Sequence, residues 1–277
     1  MENILFYLTL FIIYSILGWI LETANCTFYK KELVLNRGFL IGPYLPVYGS
    51  AAIIMILFLN EYKHDLFTLF AMSMVYASIV EYIASYVMEK LFKARWWDYS
   101  ERKFNLEGRI CLRNSLLFGI CGVLLLKYIH PFVLTVIDMI PNNIFNIISI
   151  LLITIFLIDL IVSFIIVSNL KVNFTNIRTD STEEIDKLVK EALSKNFNLN
   201  KRIFKAFPKL RFNNDESGKI LKSIKIRLED IDKSMLEKKA KIRKIKVDIK
   251  NLKRNNGNIK LIEEEKQELK KIRRTKI

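Results

Sequence analysis

The sequence predicts an all-α protein: a polytopic membrane helix bundle of about five spans, followed by a cytoplasmic, basic, helical or coiled-coil tail. Two observations predict this. First, the charge is divided. Residues 1–170 hold 12 Lys/Arg and 12 Asp/Glu, whereas residues 171–277 hold 31 and 16, so the whole net charge of +15 sits in the second part. Second, the apolar residues of the first part come in runs close to the roughly 20 residues a helix needs to cross hydrocarbon, while no aromatic residue follows Phe212. The chain therefore divides into 1–170, a transmembrane helix bundle; 171–215, a basic linker with short helices; and 216–277, a coiled-coil or helical-hairpin tail.

The candidate spans are Ile4–Leu21, Leu45–Leu59, Leu66–Val87, Ser115–Val136 and Ile144–Val167. The second is short, and the fourth contains Lys127, His130 and Pro131. The first reads as a retained span rather than a cleaved signal. No basic residue precedes Ile4, and Glu22 follows where small residues would precede a cleavage site. Basic loops set the orientation. Lys90–Arg113 holds Lys90, Lys93, Arg95, Arg102, Lys103, Arg109 and Arg113 and is expected in the cytoplasm. Alternation then puts Glu61–Asp65 outside, Lys30–Arg37 inside, the N-terminus outside, Asp138–Asn143 outside and the tail inside.

The first inner connection, Asn36–Gly49, is apolar yet holds three glycines and two prolines. Exposed to lipid, such a segment would leave backbone groups unpaired, so it is expected to be buried in protein or to line a wet cavity. A re-entrant entry to the second span and an ordinary loop with proline in the first helical turn both fit.

Three tail features follow. Ser181-Thr182-Glu183-Glu184 resembles a capping box and opens a short helix to about Leu193. In Asn200–Phe212, basic residues alternate with Ile203, Phe204, Phe207, Leu210 and Phe212, which suits either an anionic lipid surface or a solvated linker helix broken by Pro208. Leu221, Ile224, Leu228, Ile231, Met235, Lys238, Ile242, Ile245, Ile249 and Leu252 step by threes and fours, a heptad seam. Asn255-Asn256-Gly257 then breaks the helix, and a following stretch could fold back on it.

Ionisable residues inside spans cost about 2.5–3.5 kcal/mol at the centre on insertion scales, so each needs a reason. Glu22, Glu81 and Asp159 lie within or at the ends of spans, and Glu89 just beyond one. Tyr14, Gly18 and Glu22 share a helix face; so do Ser73, Ala77, Glu81, Ser85 and Glu89. Ser115, Gly119 and Gly122 make a third small-residue face. Such faces permit close helix approach and internal polar pairing. The topology puts Glu22, Glu81 and Glu89 in the cytoplasmic half, beside Arg37, Arg95, Arg109 and Arg113. We expect a polar cluster there, with Glu22, Glu81 and Glu89 paired to some of these arginines. Such pairs can serve substrate binding, or simply fix helix packing. Asn36, Asp98 and Asn105, with Arg109, complete the candidate polar-binding residues, and Trp96, Trp97 and Tyr99 suit the headgroup level.

Cys26, Cys111 and Cys121 make no Cys-x-x-Cys, and His64 and His130 lie far apart, so no disulfide, metal or other cofactor is expected. No Walker A, Gly-x-Ser-x-Gly, His-Glu-x-x-His or Rossmann pattern occurs. No catalytic residue is assigned, and any ATP hydrolysis would belong to another chain. High Ile, Lys and Asn content points to an AT-rich bacterial genome.

Several motifs carry a family resemblance: Gly18-Trp19-Ile20-Leu21-Glu22; Asn36-Arg37-Gly38-Phe39-Leu40-Ile41-Gly42-Pro43 with Pro46-Val47-Tyr48-Gly49; Glu81-Tyr82 with Met88-Glu89-Lys90-Leu91-Phe92; Trp97-Asp98-Tyr99-Ser100; and Phe104-Asn105-Leu106-Glu107-Gly108-Arg109-Ile110. In this order they resemble the CmpB family of type IV ABC-transporter membrane proteins, over about residues 5–165. The resemblance implies an integral membrane protein, the permease part of a transporter, working as a homo-oligomer or with a second membrane subunit, and with a separate ATPase chain. The basic tail lies outside the family pattern. Two other functions fit the residues. One is a non-transport anchor or sensor whose tail binds protein or anionic lipid, nucleic acid being disfavoured by the interspersed acids. The other is a membrane enzyme acting on lipid headgroups.

Overall fold

A computed structural model describes residues 2–31, 37–175, 202–203, 206–207, 210–212 and 240–252, with single residues between 226 and 238 and between 261 and 270. It divides into two compact units, Met1–Gly218 and Lys219–Ile277.

The first unit is built from α1 (Glu2–Lys30), α2 (Pro46–Leu59, continued by a 3₁₀ turn Asn60–Tyr62), α3 (Leu66–Phe92), α4 (Leu112–Leu124), a π turn (Leu125–Ile129), α5 (His130–Asp138) and α6 (Asn142–Thr175). Two short antiparallel ladders accompany them: β1 (Ala94–Arg95) with β4 (Arg211–Phe212), and β2 (Asn105–Leu106) with β3 (Ile110–Cys111).

Among the described residues, four helices are long and apolar enough to cross a membrane: Ile4–Phe28, Leu66–Phe92, Leu112–Asp138 and Asn142–Ser168. The expected second span is the short one. The 14 residues of α2 rise about 21 Å at 1.5 Å each, against hydrocarbon about 30 Å thick. Pro131 does not break the third long helix. The chain widens into the π turn just before it, where a carbonyl loses its donor. At the start of α3, Asp65 accepts from the Phe67 and Thr68 amides. Hydrogen bonds from the Thr68 hydroxyl and amide hold its carboxyl below the usual range.

Neighbouring helices alternate in direction. Gly18 meets Tyr48 and Gly49 meets Phe11, so α1 and α2 are antiparallel; Ser78 meets Ser115 and Ser73 meets Gly122, so α3 and α4 are too. Phe6 packs on Phe145 and Phe11 on Phe156, so α6 runs along α1 in the same direction. One end of the bundle thus gathers the ends of α1, α3 and α6 and the starts of α2 and α4.

The interior is polar-tolerant and the exterior oily. Ser15, Ser73 and Ser149 are fully buried, while Phe67, Ile147 and Phe132 are exposed. That is the pattern of helices associating by close packing and internal hydrogen bonds rather than by excluding water. Ser78 donates to Ser115 Oγ across α3 and α4 at 2.7 Å, and Tyr14 Oη lies 2.7 Å from His130 Nδ1, joining α1 to α5. At Gly49 α2 lies against α1, and a Cβ there would sit 2.5 Å from the Phe11 carbonyl oxygen. Gly49→Ala is therefore expected to cost about 1–3 kcal/mol by overpacking, read as a lowered thermal unfolding midpoint in detergent. Unchanged stability would mean that the two helices can separate freely.

The segment after α6 returns to this unit. Ile203, Ala206 and Leu210 are buried, and the Phe207 ring meets Trp96 edge-on at 4.7 Å. Ile203, Ala206 and Leu210 are covered by protein, whereas the composition allowed a lipid-facing or solvated segment. Phe207 directly follows the helical Ala206, and its ring covers Trp96 before the chain enters β4.

In the second unit residues 240–252 are helical. Ile245 is buried and Val247 exposed, and Ile242, Ile249 and Leu252 are half-buried. The heptad positions Leu221, Ile224, Leu228, Ile231 and Met235, the break at Asn255–Gly257 and the capping box at 181–184 lie outside the described residues.

Candidate functional site

The candidate residues converge on the end of the bundle where α1, α3 and α6 finish. Glu22 projects from the last two turns of α1. Its Oε1 lies 3.7 Å from Arg37 Nη2, and its Oε2 accepts from Tyr48 Oη at 3.2 Å. Cys26, one turn on, donates to Glu22 Oε1 at 3.4 Å and contacts the Arg37 guanidinium. Arg37 also donates to the Ala206 carbonyl at 3.1 Å. Asn36 lies outside the described residues.

Glu81 and Glu89 stand two turns apart on α3, with Ser85 between them. Arg109 reaches Glu89 Oε2 at 2.8 Å and Ser85 Oγ at 3.3 Å, and its guanidinium covers the Tyr82 and Tyr86 rings. Arg95 lies 3.5 Å from Glu89 and 3.8 Å from Asp98. Two of the three carboxylates therefore take arginine partners. Glu81 does not: it is buried, and its Oε1 accepts from Tyr99 Oη at 3.2 Å. Arg109 is engaged further along α3, by Ser85 and Glu89. Burial pushes the Tyr99 phenol far above its usual range, with Glu81's charge and hydrogen bond adding to the effect, so Tyr99 stays a neutral donor.

The connection from α3 to α4 is shaped by left-handed residues. Lys93 ends α3 at φ 53, turning the chain into β1. Gly108 adopts φ +68 between β2 and β3, and a Cβ there would meet Asp98 Oδ1 at 2.6 Å. Asn105 builds this loop. Its amide donates to the Ser100 and Arg102 carbonyls, and its oxygen accepts from the Gly108 amide. Asp98 accepts from the Ser100 amide and hydroxyl. Both residues hold the loop that presents Tyr99 and Arg109, and Asn105 has every polar atom engaged within it. The hydrogen bond from Tyr82 Oη, and then Arg109, holds the exposed Glu107 carboxyl below its usual range. Trp97 donates to the Arg109 carbonyl at 3.1 Å. Trp96, which composition puts at headgroup level, is 2% exposed, packed among Phe39, Phe92 and Phe207.

Asp159, on α6, does separate work. Its carboxylate accepts from the Gly42 amide at 2.7 Å and the Ile41 amide at 3.0 Å, and from Ser163 Oγ at 3.0 Å. Leu45 N–H donates to the Ser15 carbonyl at 2.9 Å. The glycine- and proline-bearing connection is thus non-helical yet paired with protein, which is the condition for irregular backbone at membrane depth. The Arg202 guanidinium, half-buried, also feels the Asp159 charge.

Sequence reasoning assigned no pairing role to Tyr48 or Tyr99 and left Asp159 outside the cluster. A lone acid in the apolar run Ile144–Val167 was the signal for Asp159. The tyrosines offered no periodic signal, since both stand beside sharp changes of chain direction.

A family model described as "Putative ABC-transporter type IV" matches residues 9–164, from the first turns of α1 to the body of α6. The chain belongs to this family. The match takes in both connections and every described residue of the polar end, and it stops before the 202–212 segment. No curated protein matches the chain, and no solved structure does. As a member of the type IV ABC-transporter family, built on helices that can cross a membrane, the protein is transporter-like and membrane-embedded.

Proposed function

We propose that this protein is the permease-type membrane component of an ABC-like transporter, and that Glu22, Arg37, Glu81, Glu89 and Arg109 form a polar site on the cytoplasmic side of its bundle. The basic connection Lys90–Arg113 supports that orientation, with the N-terminus outside and the tail inside. In this reading α2 and the paired 37–45 segment together make the second crossing, giving five. The observation that carries the proposal is the convergence of carboxylates from two helices with arginines from two connections, in a chain of this family. Such a site binds polar substrate where the backbone already tolerates irregularity.

The chain carries no ATP-binding motif, so transport requires an ATPase from another chain, with a second copy or another membrane subunit completing the path. Isolation from native membranes in mild detergent is expected to bring down an ATPase chain. Repeated purification of this protein without an ATPase or a second membrane chain would refute the proposal.

A second reading has one observation in its favour. Arg37 joins Glu22 to the Ala206 carbonyl, and β1 pairs with β4, so the tail's root touches the polar end. A sensor could use that route. Deleting residues 216–277 leaves the root in place. Under the transport reading the cellular function survives this deletion; under the sensor reading it is lost.

A further inference from the structure

Among the described residues, the polar end is not electrically balanced. Glu89 has Arg109 and Arg95, and Glu22 has Arg37. Asp159 has two backbone amides and feels Arg202. Glu81 is 8% exposed, and its Oε2 is buried with no hydrogen-bond partner among the described residues. The charged group that acts on it is Glu22, another carboxylate.

Tyr99, from the connection, donates to Glu81, and Glu22 on α1 and Tyr48 on α2, themselves hydrogen-bonded to each other, are near enough for their charges to be felt there. Cys111, at the end of β3, faces Tyr99 in turn, and Arg109 is turned to Ser85 and Glu89. With Arg37 set against Glu22, one negative charge remains. A buried carboxylate with no counter-charge does not persist; it takes up a positive charge. A divalent ion would want more carboxylates than one uncompensated oxygen supplies, and the described residues hold no cluster of three or more metal-ligating side chains.

We infer that Glu81 Oε2 is the seat of one exchangeable monovalent positive charge, a proton or an alkali cation, enclosed by Glu22, Tyr48 and Tyr99. This rests on the polar site proposed above and adds a cation seat to it. Taking up the charge removes the repulsion between the ends of α1 and α3, and releasing it restores that repulsion. The occupied and empty states therefore favour different spacings of those two helix ends.

The test is infrared difference spectroscopy on the full chain in lipid nanodiscs, titrated between about pH 5 and about pH 9, with sodium chloride or choline chloride at equal ionic strength. If the occupant is a proton, one carboxylic-acid carbonyl band titrates in this range, is absent in Glu81→Gln, and ignores sodium. If an alkali ion competes, sodium shifts the midpoint to lower pH. Glu22→Gln, which removes the like charge and leaves Arg37 unopposed, shifts the midpoint to lower pH as well. Wild-type protein with no titrating band lost in Glu81→Gln, and with no sodium-dependent change, overturns the inference. A band that behaves as described in a protein without any transport partner refutes the transport reading and leaves the cation site standing. Transport without the band overturns the cation site alone.

Discussion

Replacing Arg109 with alanine is expected to destabilise the protein by about 3–5 kcal/mol, the range for breaking a buried ion pair from one side. The Arg109 side chain is 9% exposed and its partner Glu89 17%, with 2.8 Å between them. Truncation takes from Glu89 its 2.8 Å partner and leaves Arg95 at 3.5 Å, removes the contact with Ser85, and uncovers the Tyr82 and Tyr86 rings. Arg109→Lys keeps the charge but loses the fork that lets one side chain reach Glu89 and Glu107 together, so it should restore only part of the loss. Changing Glu89 and Arg109 together to methionine is expected to be milder than either single truncation, because no charge is then left unpaired. Thermal unfolding in detergent reads all of these. A double variant worse than the sum of the singles would show that the pair holds the loop by geometry rather than by charge.

Asp159→Leu is the second large effect. Gly42 N–H loses its acceptor, Ile41 N–H keeps only the Ser163 hydroxyl at 3.1 Å, and Arg202 loses a nearby countercharge. One to two orphaned amides at about 1–3 kcal/mol each give a cost of about 2–4 kcal/mol. Asp159→Asn keeps one acceptor oxygen and should recover roughly half. The damage is local, so cysteines placed in the 38–45 segment should become more accessible to water-soluble thiol reagents in Asp159→Leu. Unchanged stability and accessibility would mean that the connection does not depend on α6.

The helix faces were legible because spacing alone defines them. On α3 the step of four from Ser73 through Ala77, Glu81 and Ser85 names residues that are all buried, and Ser115, Gly119 and Gly122 on α4 are buried likewise. Each face must go somewhere, and small or polar residues at that period leave only the bundle interior. For the carboxylates, the expectation went no further than pairs with some of Arg37, Arg95, Arg109 and Arg113; the closed chain sets Arg37 beside Glu22. The partner of Glu81 was not anticipated. Tyr99 reaches it through a loop whose path depends on left-handed turns at Lys93, Phe104, Glu107 and Gly108, and no periodicity announces such turns at three non-glycine positions. Asn105 and Asp98 read as ligands for the same reason. The residue types that bind polar groups are also those that close turns.

The chain's order of amino acids was enough to divide a neutral, oily, helical region from a basic tail, to mark the inward stripes of its helices and to place the family. Those properties follow from composition and local period, which act within a few residues. Which carboxylate meets which cation was decided only when the chain closed. Asp159 lies more than a hundred positions from the amides it caps, and Glu81 is left with a phenol while its neighbour takes the arginine. Such outcomes depend on the exact rotation of one helix against another and on loop dihedrals, and a difference of one turn exchanges the partners.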